Sequence, residues 1–191
     1  MSLFFESIKI LDGKIYNLKY HNQRVKKTLH DIYHVDKDIE LDDFIKAPKK
    51  GLYKCKVVYS KTLQNISYST YHPKEFKSFK LINSNIEYNY KSVNRDQIDN
   101  LFAKRENCDD IIIIQDNLIK DTSIANIALF DGLKWFTPKT PLLKGTQRAK
   151  LLEEKIVFEK DLKLKDLEKS TKFAIINAMI GFKQIKNFKI E

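Results

Sequence analysis

The apolar residues of this sequence are grouped in runs no longer than a β-strand. Uninterrupted runs such as residues 111–114 fall far short of the roughly 18 apolar residues that a membrane-spanning helix needs. Hydrophobic residues nevertheless make up 42% of the 191 positions, which supplies enough apolar surface for a folded core. The first residues also lack the basic and apolar segments of a secretory signal. We therefore expect a cytoplasmic protein of one or two small domains, without membrane contact.

Strand-like and helix-like spacings of apolar residues are mixed along the whole chain. Residues 4–11 and 51–60 alternate as strands do, and Asp12-Gly13 is a hairpin turn signal. Residues 18–35 place apolar side chains at helical spacing. Further strands are predicted over residues 14–17, 66–71, 79–82, 110–115, 125–130, 135–136, 157–160 and 173–178, and further helices over residues 38–45, 94–104, 145–155 and 165–169. This mixture predicts an α+β chain with a small N-terminal α/β domain, residues 1–75, and a larger C-terminal domain, residues 79–191.

The net charge of +10 and the pI of about 9.4 allow two interpretations. A basic surface could bind nucleic acid through its phosphates. The lysines are dispersed, however, and the densest clusters are pairs such as Lys26-Lys27 and Lys49-Lys50. We therefore favour solvated lysines over a nucleic-acid interface, and note that a few basic residues in one pocket could serve an anionic small molecule.

Several common kinds of site find little support in the sequence. Cys55 and Cys108 are far apart and lack metal-like spacing, which predicts reduced thiols. His30 and His34 have a spacing that could hold a metal on one helix face, but no third ligand is evident, so no metal site is predicted. The glycine-rich dinucleotide and nucleotide loops and the serine elbow of α/β-hydrolases are also missing.

Two polar segments could carry chemistry. Gly145-Thr146 opens a predicted helix, whose first backbone N–H groups and hydroxyl suit a phosphate, although most such starts are simple caps. Residues 121–126 lie between two apolar strands. They form either a turn or the place where a carboxylate pairs with a buried cation.

Short motifs spread over nearly the whole chain form an ordered set. They are Phe5-Glu6-Ser7-Ile8-Lys9, Asp12-Gly13-Lys14, His21-Asn22-Gln23-Arg24, Tyr90-Lys91-Ser92-Val93-Asn94-Arg95, Asp109-Asp110-Ile111-Ile112, residues 121–126, Thr137-Pro138, Gly145-Thr146-Gln147-Arg148 and Asn177-Ala178-Met179-Ile180-Gly181. In this order they resemble the class IV aminotransferase family, the fold-type IV enzymes that depend on pyridoxal 5′-phosphate (PLP). The resemblance implies a two-domain fold like that of D-amino-acid aminotransferase, with a shortened N-terminal domain.

The resemblance also implies roles for individual residues. Lys91 would carry PLP as a Schiff base and then move protons as a general base. Asp121 would take the place of the family's glutamate beside the pyridine nitrogen, which must stay protonated for PLP to act as an electron sink. The other implied cofactor-binding residues, mostly around the phosphate, are Arg24, Asn126, Gly145, Thr146, Gln147, Asn177 and Ala178.

The substrate is implied by one C-terminal motif. Asn177-Ala178-Met179 is similar to the aminodeoxychorismate lyase branch, which predicts cleavage of 4-amino-4-deoxychorismate, an anionic amine, to p-aminobenzoate and pyruvate in folate biosynthesis. Residues 61–65 replace the family's glycine- and arginine-rich loop on the substrate side. An aminotransferase of branched-chain or D-amino acids, a non-catalytic family member and a basic nucleic-acid-binding module therefore stay open. A homodimer is implied by the resemblance alone.

Overall fold

The computed structural model describes residues 2–191, which divide into two compact units. The first unit holds the chain up to Pro73 together with Tyr90–Asn94, and the second holds Lys74–Asn89 and Arg95–Glu191. Each unit combines a β-sheet with helices, so the predicted α+β class is confirmed. Among the described residues, no helix has the length and apolar character needed to cross a membrane.

The first unit is a four-stranded antiparallel sheet with one long helix. Its strands lie in the order β2-β1-β3-β4. The elements are β1 (Phe4–Leu11), β2 (Lys14–Ile15), α1 (Leu18–Tyr33), a single 3-10 turn (Leu41–Asp43), β3 (Leu52–Tyr59) and β4 (Leu63–Thr70). The helix expected over residues 38–45 was wrong, because only Leu41 and Ile45 of this stretch are buried and one short turn suffices to place them.

The core of the first unit lies between the sheet and α1. Residues at even positions of β1 are buried and residues at odd positions are partly exposed, as a strand with one covered face requires. Ile8 and Ile10 of β1 form one buried cluster with Val25 and Leu29 of α1. Burying each such side chain contributes roughly 1.5–3 kcal/mol. The position between Phe4 and Ile8 is occupied by Glu6, so this apolar face carries a carboxylate.

The segment around Lys91 belongs to the first unit, which corrects its expected place in the C-terminal domain. The backbone N–H of Phe5 donates to the carbonyl oxygen of Lys91 at 2.9 Å, and the N–H of Val93 donates to Leu3 at 2.8 Å. Phe4 and Ser92 form an isolated antiparallel bridge. The segment is thus paired with the start of β1, a contact between distant parts of the chain that local sequence patterns do not reveal.

The second unit is built on a nine-stranded sheet with three helices. Its elements are β5 (Ser78–Asn83), α2 (Asp96–Ala103), β6 (Asp110–Gln115), β7 (Leu118–Thr122), β8 (Asn126–Phe130), β9 (Trp135–Pro138), α3 (Thr146–Glu153), β10 (Val157–Lys160), α4 (Leu164–Lys169), β11 (Lys172–Asn177), β12 (Gly181–Ile185) and β13 (Lys189–Ile190). The main path runs β10-β9-β8-β7-β6-β5-β13, and β11 pairs with β8 and β12. The pairings β5-β6, β9-β10 and β5-β13 are parallel.

Strand β6 is buried on both faces, as its continuous apolar run predicts. Ile112 and Ile114 join one core cluster, whereas Ile111 and Ile113 pack with α2 in another. Strands β7, β12 and β13 were not expected. Strand β7 escaped notice because three of its four buried positions are occupied by polar residues, Lys120, Asp121 and Thr122.

Candidate cofactor site

Lys91 is anchored through its backbone, as described above, and its side chain is half-buried. The ammonium nitrogen lies 4.6 Å from the centre of the Phe5 ring. The ammonium of Lys56 lies over the same ring at 5.0 Å. Cation–π contacts of this kind stabilise a partly desolvated amine. The arrangement therefore places an amine beside an aromatic side chain on a segment of fixed backbone.

Tyr90 fastens the Lys91 segment to helix α1. Its hydroxyl donates to Oδ2 of Asp31 at 2.9 Å, and Lys27 binds the same oxygen at 2.6 Å. The hydrogen bond from Lys27, followed by those from His30 and Tyr90, lowers the pKa of Asp31 to about 2. Asp31 is therefore ionised over the whole physiological range and remains a constant acceptor for Tyr90.

Arg24 projects from α1 and is bound by Glu6 of β1. The Nε atom of Arg24 donates to Oε1 of Glu6 at 2.8 Å, and Nη2 donates to Oε2 at 2.5 Å. The Nδ1 atom of His21, one turn earlier on the same helix, lies 2.5 Å from the same Oε2. Burial alone would raise the pKa of Glu6, but the charge of Arg24 and the hydrogen bonds from both partners lower it to about 2. The Glu6 carboxylate is therefore charged at neutral pH.

Burial has the opposite consequence for His21. It lowers the pKa of the imidazole, and this effect outweighs the hydrogen bond and charge of Glu6. His21 is accordingly neutral at pH 7, when its Nδ1–H can donate to the carboxylate. The predicted cofactor residue Arg24 thus belongs to a buried network of a carboxylate, a neutral imidazole and a guanidinium.

Asp121, at the end of β7, is the central buried carboxyl of the second unit. Its Oδ1 accepts a hydrogen bond from Nδ2 of Asn126 at 2.7 Å, and its Oδ2 accepts one from the backbone N–H of Leu143 at 2.9 Å. Both donors are neutral amides. Burial raises the pKa of Asp121 to about 6, although Leu143, Asn126 and the charge of Arg148 all oppose the rise. Asp121 is thus a buried carboxyl with hydrogen bonds from neutral amides, and a further positive charge beside it would favour its ionised form.

Gly145 stands next to this carboxyl at the start of helix α3. A Cβ at this position would lie 2.2 Å from Oδ1 of Asn126, so only glycine leaves room for the Asn126 side chain. Asn126 also donates to the carbonyl of Leu143 at 2.7 Å. Thr146 and Gln147, the first residues of α3, are buried. The predicted residues Asp121, Asn126 and Gly145 are therefore packed together at the positive end of a helix.

Asp110 and Arg95, which had no predicted role, and the predicted residue Asn177 support the loop between β7 and β8. The Oδ1 atom of Asp110 accepts from the backbone N–H of Ser123 at 3.3 Å, and Nη2 of Arg95 donates to the carbonyl of Ser123 at 3.0 Å. The Asn177 side chain donates to the carbonyl of Ile124 at 3.4 Å. An acidic residue at the head of the apolar run 111–114 is the sequence signal that points to Asp110.

Asn177 and Ala178 lie in the turn between β11 and β12. Oδ1 of Asn177 accepts hydrogen bonds from the backbone N–H groups of Met179 and Ile180, both at 3.0 Å. The carboxamide therefore shapes this turn. The role of Asn177 and Ala178 as cofactor-binding residues stays a prediction.

The two cysteines are poorly suited to nucleophilic chemistry. Burial raises the pKa of the Cys55 thiol to about 11, and burial also raises the pKa of Cys108. Both thiols therefore stay protonated at neutral pH, whereas a thiolate is the reactive form.

The residues present fit the chemical groups of PLP. The cofactor has an aldehyde, a phosphate dianion and a pyridine nitrogen that must be protonated. The first unit has an amine at Lys91 and a guanidinium at Arg24 that suits an anion. In the second unit, the start of α3 suits an anion. Asp121 is a buried carboxyl whose raised pKa calls for a cation.

The fold is that of the fold-type IV PLP-dependent enzymes. The solved structure of a hypothetical aminotransferase from Mycobacterium tuberculosis, in its PLP-bound form, matches with a TM-score of 0.80 at 15% identity, and the match covers 99% of this chain and 81% of that one. A crystal structure of a proposed 4-amino-4-deoxychorismate lyase from Haemophilus somnus 129PT matches with a TM-score of 0.88 at 33% identity, covering 95% of this chain and 98% of that one.

The chain belongs to the class IV aminotransferase family, whose sequence pattern matches residues 3–188. An uncharacterised protein of Haemophilus influenzae Rd is 37% identical over 183 residues, which make up 93% of this chain and 97% of that protein. The family depends on PLP. The expected family, fold and cofactor are therefore confirmed, whereas the roles of individual residues stay predictions.

Proposed function

We propose that this chain is a PLP-dependent 4-amino-4-deoxychorismate lyase that forms p-aminobenzoate and pyruvate. The observation that carries the proposal is the similarity to the proposed lyase of Haemophilus somnus, at 33% identity over 95% of this chain. The motif Asn177-Ala178-Met179, which resembles the lyase branch, adds to it. We further propose an anionic amine as the substrate class and a homodimer as the acting form.

In this proposal Lys91 is the catalytic residue. Bound PLP supplies an electron sink that makes a proton on the substrate's amine-bearing carbon acidic. Lys91 would hold the cofactor through its amine. The same amine would remove this proton and, as the C–O bond between the ring and the enolpyruvyl group breaks, return a proton to the enolpyruvyl group. The departing group leaves as pyruvate, and the reaction consumes no oxidant.

Asp121 is assigned to the pyridine nitrogen. Its hydrogen bonds from Asn126 and Leu143 fix both carboxyl oxygens. A nearby pyridinium would favour the ionised form of this carboxyl, because an opposite charge lowers the pKa of a buried acid. Asp121 would thereby hold a proton on the cofactor rather than on itself.

In the first unit, Arg24 is assigned to the phosphate by resemblance. In the second unit, the first residues of α3 are assigned to it by resemblance. Gly145 permits the close packing at this helix start, and the backbone of Thr146 and Gln147 lies at the positive end of the helix dipole. Asn126 supports the site through Asp121, and the turn of Asn177 and Ala178 supports it through the loop at Ile124.

Pyruvate release from 4-amino-4-deoxychorismate by the purified protein with PLP tests the proposal. We expect stoichiometric pyruvate and p-aminobenzoate, both abolished in Lys91→Ala. Conversion of PLP to its pyridoxamine form by D- or branched-chain amino acids, without pyruvate from aminodeoxychorismate, would indicate an aminotransferase instead. A protein that takes up no PLP would indicate a non-catalytic member of the family, and strong salt-dependent binding of DNA or RNA by such a protein would favour the nucleic-acid-binding alternative.

A further inference from the structure

Glu6 is the most completely buried acidic side chain of the first unit's core, with 0% of its surface exposed. It occupies an inward position of β1 between Phe4 and Ile8, where an apolar residue would be expected. We infer that Glu6 is a positioning residue that orients the Arg24 guanidinium for the cofactor's phosphate. This inference rests on the proposed function, which assigns the phosphate to Arg24.

The contacts of Glu6 fix one edge of the guanidinium. Oε1 receives Nε of Arg24 at 2.8 Å and Oε2 receives Nη2 at 2.5 Å. A guanidinium is planar, so a carboxylate that binds these two nitrogens sets the plane and the direction of the whole group. The remaining nitrogen, Nη1, therefore keeps one orientation. A phosphate that approaches Arg24 meets a donor that needs no further ordering.

His21 supplies a further contact of the carboxylate. Its Nδ1 lies 2.5 Å from Oε2, the oxygen that also binds Nη2 of Arg24, and the imidazole is fully buried. As a neutral donor, His21 satisfies Glu6 without adding a positive charge that would compete with Arg24. His21 and Arg24 thereby fix the orientation of the carboxylate, and the carboxylate in turn fixes the orientation of the guanidinium.

The exposure of the three side chains favours a role in positioning Arg24 over a role limited to packing α1 against β1. The Glu6 and His21 side chains are 0% exposed, whereas the Arg24 side chain is 14% exposed. Two fully buried polar groups thus hold one cation that reaches the boundary of the core. A packing role alone would be served better by apolar side chains, because a buried ion pair is a weak source of stability.

The test compares two forms of the cofactor that differ only in the phosphate. Dissociation constants of PLP and of pyridoxal are measured by visible absorption on the full chain and on Glu6→Gln. We expect Glu6→Gln to weaken PLP binding about tenfold and to leave pyridoxal binding within about twofold, the loss expected for one charge-assisted hydrogen bond. Glu6→Asp keeps the charge but shortens the side chain. Its dissociation constant for PLP should lie between those of the unmodified chain and Glu6→Gln.

A double-mutant cycle checks that Glu6 acts through Arg24. In an Arg24→Gln background, Glu6→Gln should change the ratio of the two dissociation constants no further, because the group it orients is gone. Asp38→Asn is the matched control: it removes the carboxylate that forms an ion pair at 2.8 Å with Lys26 of α1, and both side chains are more than half exposed. This control should leave both dissociation constants unchanged.

Each outcome has a distinct meaning. An unchanged ratio in Glu6→Gln and Glu6→Asp, or tighter PLP binding through the lost negative charge, would overturn the inference while the proposed function stands. Equal weakening of PLP and pyridoxal would also overturn it, because that result indicates a general loss of structure. If Glu6→Gln does not fold, the Glu6→Asp ratio and the cycle built on it decide. Failure of the unmodified chain to bind PLP would instead overturn the proposed function.

Discussion

Each unit of the molecule contains a buried carboxyl next to a proposed cofactor residue, and the two have opposite electrostatic characters. Arg24 donates a hydrogen bond to each carboxylate oxygen of Glu6, and the pKa of Glu6 is lowered to about 2. Asp121 receives its hydrogen bonds from neutral amides, and burial raises its pKa to about 6. Burial alone therefore does not decide the charge state of these two carboxyls, because a neighbouring cation can outweigh it. Glu6 is suited to hold a protein group, and Asp121 to receive a ligand's positive charge.

The largest effect is expected for Lys91, whose amine has no chemical equivalent in Glu6 or Asp121. Lys91→Ala should remove the visible absorption band of bound PLP and lower the lyase rate at least about 100-fold, because both the amine and the proton acceptor are lost. Absorption spectra and pyruvate assays measure this. Lys56→Ala is the control, since Lys56 contacts the same Phe5 ring from 5.0 Å. A variant lacking Lys91 that keeps the band would contradict the assignment.

Asp121→Asn tests the ligand-facing half of the comparison. The side chain keeps its size but cannot carry a negative charge, so the pyridine nitrogen would lose its partner. We expect the turnover rate to fall by about one to two orders of magnitude, with a larger effect on kcat than on pyridoxal binding. Steady-state kinetics would reveal this split. Equal kcat values for Asp121→Asn and the unmodified chain would remove Asp121 from the site.

The two carboxyls should also give opposite dependences of stability on pH in the protein without cofactor. Glu6 has its pKa lowered from 4.5 to about 2, so its contribution of about 3 kcal/mol is complete above pH 4.5 and is lost as the pH falls towards 2. Asp121 has its pKa raised from 3.8 to about 6. Its stabilising effect is complete below pH 3.8 and is lost as the pH rises through 6, a change of about 3 kcal/mol.

Urea unfolding at a series of pH values measures both slopes. Asp121→Asn should be more stable than the unmodified chain at pH 7 and should lose the decline between pH 4 and 6, whereas Glu6→Gln should be less stable at pH 7. If Asp121→Asn were instead destabilised at pH 7, the carboxylate would have a stabilising partner and the contrast between the two sites would fail.

Gly145→Ala probes the packing around Asp121. The added Cβ would lie 2.2 Å from Oδ1 of Asn126, so Asn126 must move and its hydrogen bond to Asp121 must weaken. We expect a loss of about 1–3 kcal/mol in the free energy of unfolding and weaker PLP binding. The same substitution in an Asn126→Ala background should cost less, since the clash is removed. Equal costs in both backgrounds would argue against this contact.

Tyr90→Phe is the mildest change, and it affects the segment of the first unit that contains Lys91. It removes only the hydroxyl that donates to Asp31 at 2.9 Å. We expect a loss of about 1 kcal/mol in the free energy of unfolding and a PLP absorption band of unchanged position. A shifted band would mean that Tyr90 influences the orientation of Lys91 and is more than an anchor of its segment.

The sequence predicted those parts of the molecule in which local patterns dominate. Strand β6 has the predicted limits because its apolar run is continuous, and the turn at Asp12-Gly13 forms because both residues adopt the positive φ values of 48° and 80° that such hairpins need. Strand β7 was missed because its buried residues include Lys120 and Asp121, so polarity concealed burial.

The functional residues divide in the same way. Lys91, Arg24 and Asp121 were identified by resemblance, since composition and periodicity do not distinguish them. Glu6 is part of a sequence motif but has no predicted role of its own. An acidic residue at an inward strand position nevertheless indicates a buried carboxylate that needs a cationic partner. Finding that cation requires the packing of α1 on β1, which is a property of the folded chain.

The sharing of the chain between the two units has a consequence for protein synthesis. The first unit includes Tyr90–Asn94, whereas Lys74–Asn89 belongs to the second. A ribosome must therefore translate through residue 94 before the first unit can close its backbone bonds at Phe5 and Leu3. Domains commonly fold in order as they emerge from the ribosome. Here the first unit is completed only after synthesis of the second has begun, and a continuous fragment that contains either unit whole also contains residues of the other.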